Sequence, residues 1–298
     1  MTLAPFVQTG NGVHPTIDFE RLRAQYPDLP ADVWNIGSAS DLLGWEAMRT
    51  RYGITAPDAI PCDLFVWGTG EPPDRRLTRV GGVPWLPKRT PWPIIGNKVT
   101  TFLCQFDFRD SKDLDGQLAG ESLPGDLLLV FVAGKDSALT ADEEELRFVW
   151  VSAQETEVYT RNDAPDATDP FDFVTTWGVR YRSEDIPSQW DKAYDIPEDA
   201  GSGRLWCLPV LWGTKIGGVP YNSQENQYEP PSNYLCQLVS IQASGTRWPW
   251  VDAEEPLDPG FGCDGIHGDK QCLMIGDMGE LTLFMRDDGT VTADSACG

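Results

Sequence analysis

Apolar residues in this chain fall in short alternating or continuous runs, separated by glycine, proline and acids, and this pattern predicts strands over most of its length. The run PCDLFVWG at 61–68 is a strand bounded by Pro and Gly. TFLCQFDF at 101–108 alternates, placing Phe102, Cys104, Phe106 and Phe108 on one face and Leu103, Gln105 and Asp107 on the other. LLLVFVA at 127–133 is apolar on both faces and predicts a central strand. ELRFVWVSA at 145–153 and FVTTWGVRYR at 173–182 continue the series, and LWCLPVLWG at 205–213 leads into the second half of the chain. Helical spacing is confined to the N-terminal region: a short helix from Thr16, with Thr16 as N-cap and Asp18 and Glu20 in the first turn, and a second over 40–52. The expected class is α+β: strand-rich, internally duplicated, two similar sheet-containing halves packed together with a few peripheral helices.

The duplication is read from landmarks that recur in order. GGVP stands at 81–84 and again at 217–220, followed 21 and 17 residues after its first glycine by FLCQ at 102–105 and YLCQ at 234–237. GDLLLVF at 125–131 and GELTLF at 279–284 form a third matching pair. The implied organisation is an N-terminal helical segment and lead strand (1–74), a first repeat half (75–183), a connector (184–204) and a second half (205–298). Gly81, Gly82, Pro84 and Gly217, Gly218, Pro220 predict two tight turns, since glycine permits positive φ and proline fixes its own. Gln105 and Gln237 occupy equivalent places in apolar strands. A buried amide must satisfy its donors and acceptors, so each is expected to bond backbone groups of its neighbouring GGVP turn.

These blocks carry a resemblance. GGVP at 81–84, Trp92-Pro93, FLCQFDF and Pro124-Gly125-Asp126-Leu127, followed by KIGGVP at 215–220, YLCQL and the IGDMGEL block at 275–281 that contains Asp277, resemble the bacterial YwqG-like family over about 75–290. The chain departs from that pattern at Ile275, where a tryptophan commonly precedes the Gly-Asp, and at Val219, where an aromatic residue usually precedes Pro. The genomic setting of such proteins, near contact-dependent and polymorphic toxins, implies an immunity role.

Charge is the bulk property that narrows function most. Forty-six acids against 23 bases give a net charge of −23, a field that disfavours nucleic acid and anionic membrane and favours a basic partner. No apolar run approaches a membrane span, the first 15 residues show no signal-peptide pattern, and seven scattered cysteines do not suggest a disulfide framework, so a cytoplasmic location is expected. Catalytic constellations are not visible. Histidine occurs only at 14 and 267, GTGEPP at 68–73 is not a phosphate loop, and the abundant carboxylates nominate no acid/base pair. Cys263, His267 and Cys272 are weak zinc candidates, because paired Cys-x2-Cys elements are missing. No cofactor is expected.

The primary reading is therefore a cytoplasmic immunity protein that occludes a cognate, basic toxin domain. Its contact residues would be the acids Asp142, Glu143, Glu144, Glu145, Asp163, Asp166, Asp169 and Asp252 with the aromatic anchors Trp248 and Trp250. The alternative is an enzyme or a small-ligand or metal-binding protein with its site in the cleft between the repeats, near Cys263, His267 and Asp277.

Overall fold

The computed structural model describes residues 6–7, 16–17, 59–69, 71–114, 118, 123–133, 143–165, 175–185, 213–221, 233–240, 273, 275 and 279–296. Fourteen strands are described: β1 (Phe6–Val7), β2 (Thr16–Ile17), β3 (Ile60–Thr69), β4 (Arg79–Val80), β5 (Ile94–Ile95), β6 (Lys98–Val99), β7 (Thr101–Asp107), β8 (Leu127–Val132), β9 (Leu146–Val151), β10 (Thr176–Asp185), β11 (Lys215–Gly217), β12 (Tyr234–Val239), β13 (Glu280–Met285) and β14 (Val291–Ala296). The described residues contain no α-helix; a single 3-10 turn spans Glu143–Glu145. The α+β expectation with peripheral helices is thus corrected to a strand-rich fold. Thr16, expected to cap a helix, instead begins β2, which pairs antiparallel with β1 and parallel with β10 through Arg180. Pairing with a neighbouring strand supplies backbone hydrogen bonds that a marginal one-turn helix cannot match. The helix expected over 40–52 lies outside the described residues. Among those described, no helix is long and apolar enough to cross a membrane.

The two halves do not form separate packed sheets. They join edge to edge in one sheet of order β14-β13-β12-β11-β3-β10-β4-β7-β8-β9, with β5 and β6 apart as a hairpin. The middle of the sheet is the long antiparallel pair β3·β10, in register from Thr176↔Thr69 to Asp185↔Ile60. On one side β10 leads into β4, β7, β8 and β9; on the other β3 leads into β11, β12, β13 and β14. The strand flanking the second unit therefore comes from a position N-terminal to the first, while the strand flanking the first unit follows it in sequence.

The equivalence holds to single hydrogen bonds. Arg79 and Val80 lie opposite Gln105 and Cys104, as Lys215 and Ile216 lie opposite Gln237 and Cys236. Gly178 N–H donates to Thr78 O (2.9 Å), as Phe65 N–H donates to Thr214 O (3.0 Å). Asp107 N–H donates to the Thr78 hydroxyl (3.0 Å), as Val239 N–H donates to that of Thr214 (3.2 Å). Both strands also carry a bulge at the same point of the repeat, between Phe102 and Cys104 and between Tyr234 and Cys236.

That bulge corrects the expected facing of β7. The extra residue, Leu103, shifts the pleat, and a one-residue shift exchanges faces. Phe102 consequently sits opposite Phe131 and joins Leu86, Leu127, Leu129, Val151 and Ala153, on the face shared with Gln105 and Asp107 rather than with Cys104 and Phe106. Trp85, Trp92 and Tyr159 cover this cluster from the loops. The sheet also coils: Gly289, in the β13–β14 turn, lies against Pro124 ahead of β8, and β14 packs beside the 3-10 turn that precedes β9. The ends of the sheet are thus brought together.

Candidate functional site

The sequence repeat is longer than GGVP. Thr78-Arg79-Val80-Gly81-Gly82-Val83-Pro84 aligns with Thr214-Lys215-Ile216-Gly217-Gly218-Val219-Pro220, putting a basic residue two positions before each glycine pair. In both copies the glycines are left-handed, with φ of 67° and 73° at Gly81 and Gly82 and 68° and 76° at Gly217 and Gly218. Side chains pay a steric penalty in that region that glycine avoids. Gln105 Oε1 accepts from Trp85 N–H (3.0 Å) and Gln237 Oε1 from Tyr221 N–H (3.1 Å), each the residue immediately after the turn's proline. Gln105 Nε2 then donates to Arg75 O and Leu77 O, both at 3.0 Å. The second amide donates to Tyr221 O and to the Thr282 hydroxyl. Each glutamine therefore ties the segment after its turn to the strand. Replacing Gln105 by Ala leaves three backbone groups without partners and is expected to cost about 1–3 kcal/mol, read from the urea-unfolding midpoint; an unchanged midpoint would show that the amide holds nothing.

The basic residue two positions before each turn is buried. Lys215 and Asp185 are both fully buried, with Nζ 2.8 Å from Oδ2, and the same oxygen accepts from Val219 N–H at 2.8 Å. A Cβ on Gly218 would stand 2.2 Å from that carboxylate oxygen, so the bare glycine makes room for it. Cys62 lies alongside; burial pushes its thiol pKa well up, and the Asp185 charge adds to the effect. In the first copy Arg79 takes the place of Lys215. Its side chain has no exposed surface, its Nε donates to Gly81 O (3.1 Å), and its Nη2 meets Glu71 Oε2 at 3.0 Å. Glu71, however, is 60% exposed. Burial lowers the Arg79 pKa, and Glu71 offsets part of that effect.

A second charged cluster lies on the central strands. Buried Asp63 accepts from Ser111 Oγ (2.6 Å), Arg182 Nε (2.5 Å) and Arg182 Nη2 (3.1 Å), with Arg180 Nη1 at 3.5 Å. Both arginines also donate to Asp110 O, and Arg182 reaches Asp113 at 2.8 Å. Two guanidinium groups and a hydroxyl saturate one carboxylate here, which clamps the loop after β7 onto β3 and β10. Such a network suits a structural bond better than proton transfer.

The contact acids expected from sequence fall in different settings. Glu144 and Glu145 are exposed on the 3-10 turn, whose backbone carbonyl at Glu145 accepts from Ala133 N–H. Asp163 is not a free surface charge: it caps its own turn through Thr160 and pairs with Lys88 Nζ at 2.9 Å. The Thr160 hydroxyl, then Lys88, hold its carboxyl down at about 2. The backbone of Glu143 belongs to the 3-10 turn. Asp142, Asp166, Asp169, Trp248, Trp250, Asp252 and Asp277 lie outside the described residues, as do Cys263, His267 and Cys272. Sequence reasoning missed Arg79, Lys215, Glu71, Asp185 and the Asp63 cluster. Only the first two had a visible signal, the basic residue shared by both copies.

No curated protein matches the chain. The family described as Domain of unknown function (DUF1963) matches residues 78–255, more than half of the sequence, beginning at the threonine of the first turn motif and running beyond β12. The match is compatible with the YwqG-like resemblance of the same blocks. The chain belongs to the DUF1963 family.

Proposed function

We propose that this protein is an immunity-type binding protein that occludes a basic toxin domain with an acidic surface. The observation that carries this reading is the net charge of −23, together with exposed acids gathered where the ends of the sheet meet. Glu144 and Glu145 sit on the turn beside β14, β14 carries exposed Asp294, and the adjoining turn carries exposed Asp287 and Asp288. Acids so placed steer a basic partner and raise its association rate. Most of the described arginines are turned inward or paired with acids, which leaves the outer field negative.

Charge reversal at Glu144 and Glu145 is expected to lower the association rate for a basic partner roughly tenfold and to flatten its salt dependence, with dissociation little changed. Stopped-flow mixing at two ionic strengths reads both. The reading as a whole is tested by inducing the adjacent reading frame with and without this chain. Rescue of growth with a 1:1 complex supports it; a harmless neighbour that does not co-purify overturns it.

A further inference from the structure

The two halves of the sheet serve as each other's comparison. In the second, the buried cation Lys215 is matched by a fully buried carboxylate, Asp185, which also takes the Val219 N–H. That site is sealed. In the first, the acid is Glu71, just beyond β3 as Asp185 ends β10, and it is 60% exposed while the guanidinium it touches has no exposed surface. The first copy thus pairs its buried cation with a carboxylate that itself stands in solvent, and the second does not.

Three further observations point to exchange at this position. Arg79 Nη1 is buried and has no hydrogen-bond acceptor among the described residues, so Glu71 uses only part of the guanidinium's capacity. Gly82 is exposed, and a Cβ there would stand 1.9 Å from Arg79 Nη2 and 3.0 Å from Thr175 Oγ1; bare backbone, with no side chain, lies over the guanidinium on that side. Finally, residues 75–106 contain no acid but six bases, in a chain with twice as many acids as bases. The long-range field repels anions, whereas this local stretch does not.

We propose that the first turn is a receiving site for an external carboxylate, which displaces Glu71 and binds the Arg79 guanidinium through Nη1 and Nη2. A planar carboxylate is the group matched to that fork, and it is the group both copies of the repeat already place against their buried cation. Glu71 is then an internal stand-in that swings into water when the ligand arrives. The site lies apart from the acidic rim at Glu144 and Glu145 and does not depend on it.

Chemical rescue tests this. Glu71→Ala strips Arg79 of its acid and is expected to lose several degrees of Tm. Acetate, compared with chloride at equal ionic strength, is expected to restore at least half of that loss, while leaving Asp185→Ala unrescued because that site is sealed. Glu71→Gln, which keeps the side chain's shape, is read in the same way should the alanine variant not fold. Acetate represents a free small carboxylate, and N-acetyl-aspartyl amide one carried on a polypeptide. Rescue by acetate alone assigns a small-molecule ligand, and rescue by both assigns a side chain of a partner. If neither rescues, if chloride does as well, or if Asp185→Ala recovers to the same extent, the proposal is overturned.

Discussion

Replacing Asp185 by Ala is expected to destabilise the protein by about 3–5 kcal/mol, well beyond the loss expected for Gln105→Ala. The change takes the Asp185 carboxylate away from the buried Lys215 ammonium, and it removes the acceptor of Val219 N–H. The penalty arises from removing the carboxylate that offsets a buried charge, not from losing a strong bond, because the Coulomb gain of such a pair is largely cancelled by desolvation. A second variant separates these effects. Asp185→Leu combined with Lys215→Met removes both charges and is expected to recover most of the loss. Equilibrium urea unfolding of the two variants and the parent checks the claim. A loss of less than about 1 kcal/mol for Asp185→Ala, the range of exposed pairs, would mean that water reaches the site.

The glycines of the repeat supply the second large effect. An alanine in the left-handed region costs about 1–2 kcal/mol wherever it is placed. Gly96, with φ 59° and nothing within 4 Å of the position a Cβ would take, isolates that term, so Gly96→Ala is expected to lose only that amount. Gly218→Ala adds a Cβ 2.2 Å from Asp185 Oδ2 and 2.8 Å from Cys62 Cβ, neither of which has room to retreat. Its loss is expected to exceed that of Gly96→Ala by about 3 kcal/mol or more, since the buried ion pair must separate. Gly82→Ala should fall between them, because Arg79 Nη2 is the far end of a flexible side chain beside an exposed acid. Thermal and urea midpoints give the order. Equal losses at all three positions would show that close packing at the turns plays no part.

Much of the strand content was legible from alternation and continuous apolar runs. β3, β7, β8 and β9 fall on the runs named for them and β10 overlaps its run over 176–182, because burial on one or both faces leaves a period in sequence. Three errors have separable causes. The helix at Thr16 rested on a capping pattern, a local preference that pairing with β1 and β10 overrides. The facing of Phe102 assumed an unbroken pleat, and a bulge cannot be read from apolar spacing alone. Two packed half-sheets were expected because a duplicated chain suggests separable units; the joining pair β3·β10 brings together residues more than 100 positions apart, and no local pattern reports such a contact.

For the candidate site, sequence alone determined that two turns with paired glycines and a proline recur, each followed by a strand with a polar amide at a fixed place. Glycine's access to positive φ and the demand of a buried amide for partners are properties of the residues themselves, independent of what surrounds them. Only the tertiary structure decided what the turns enclose. Lys215 meets Asp185 and Arg79 meets Glu71 because each acid stands at the end of a central strand that crosses beside the opposite end of the repeat. Whether such a pair is sealed or open depends on how much protein covers the acid, and burial is a property of the assembled sheet. Two nearly identical heptapeptides therefore enclose one closed ion pair and one whose acid faces water.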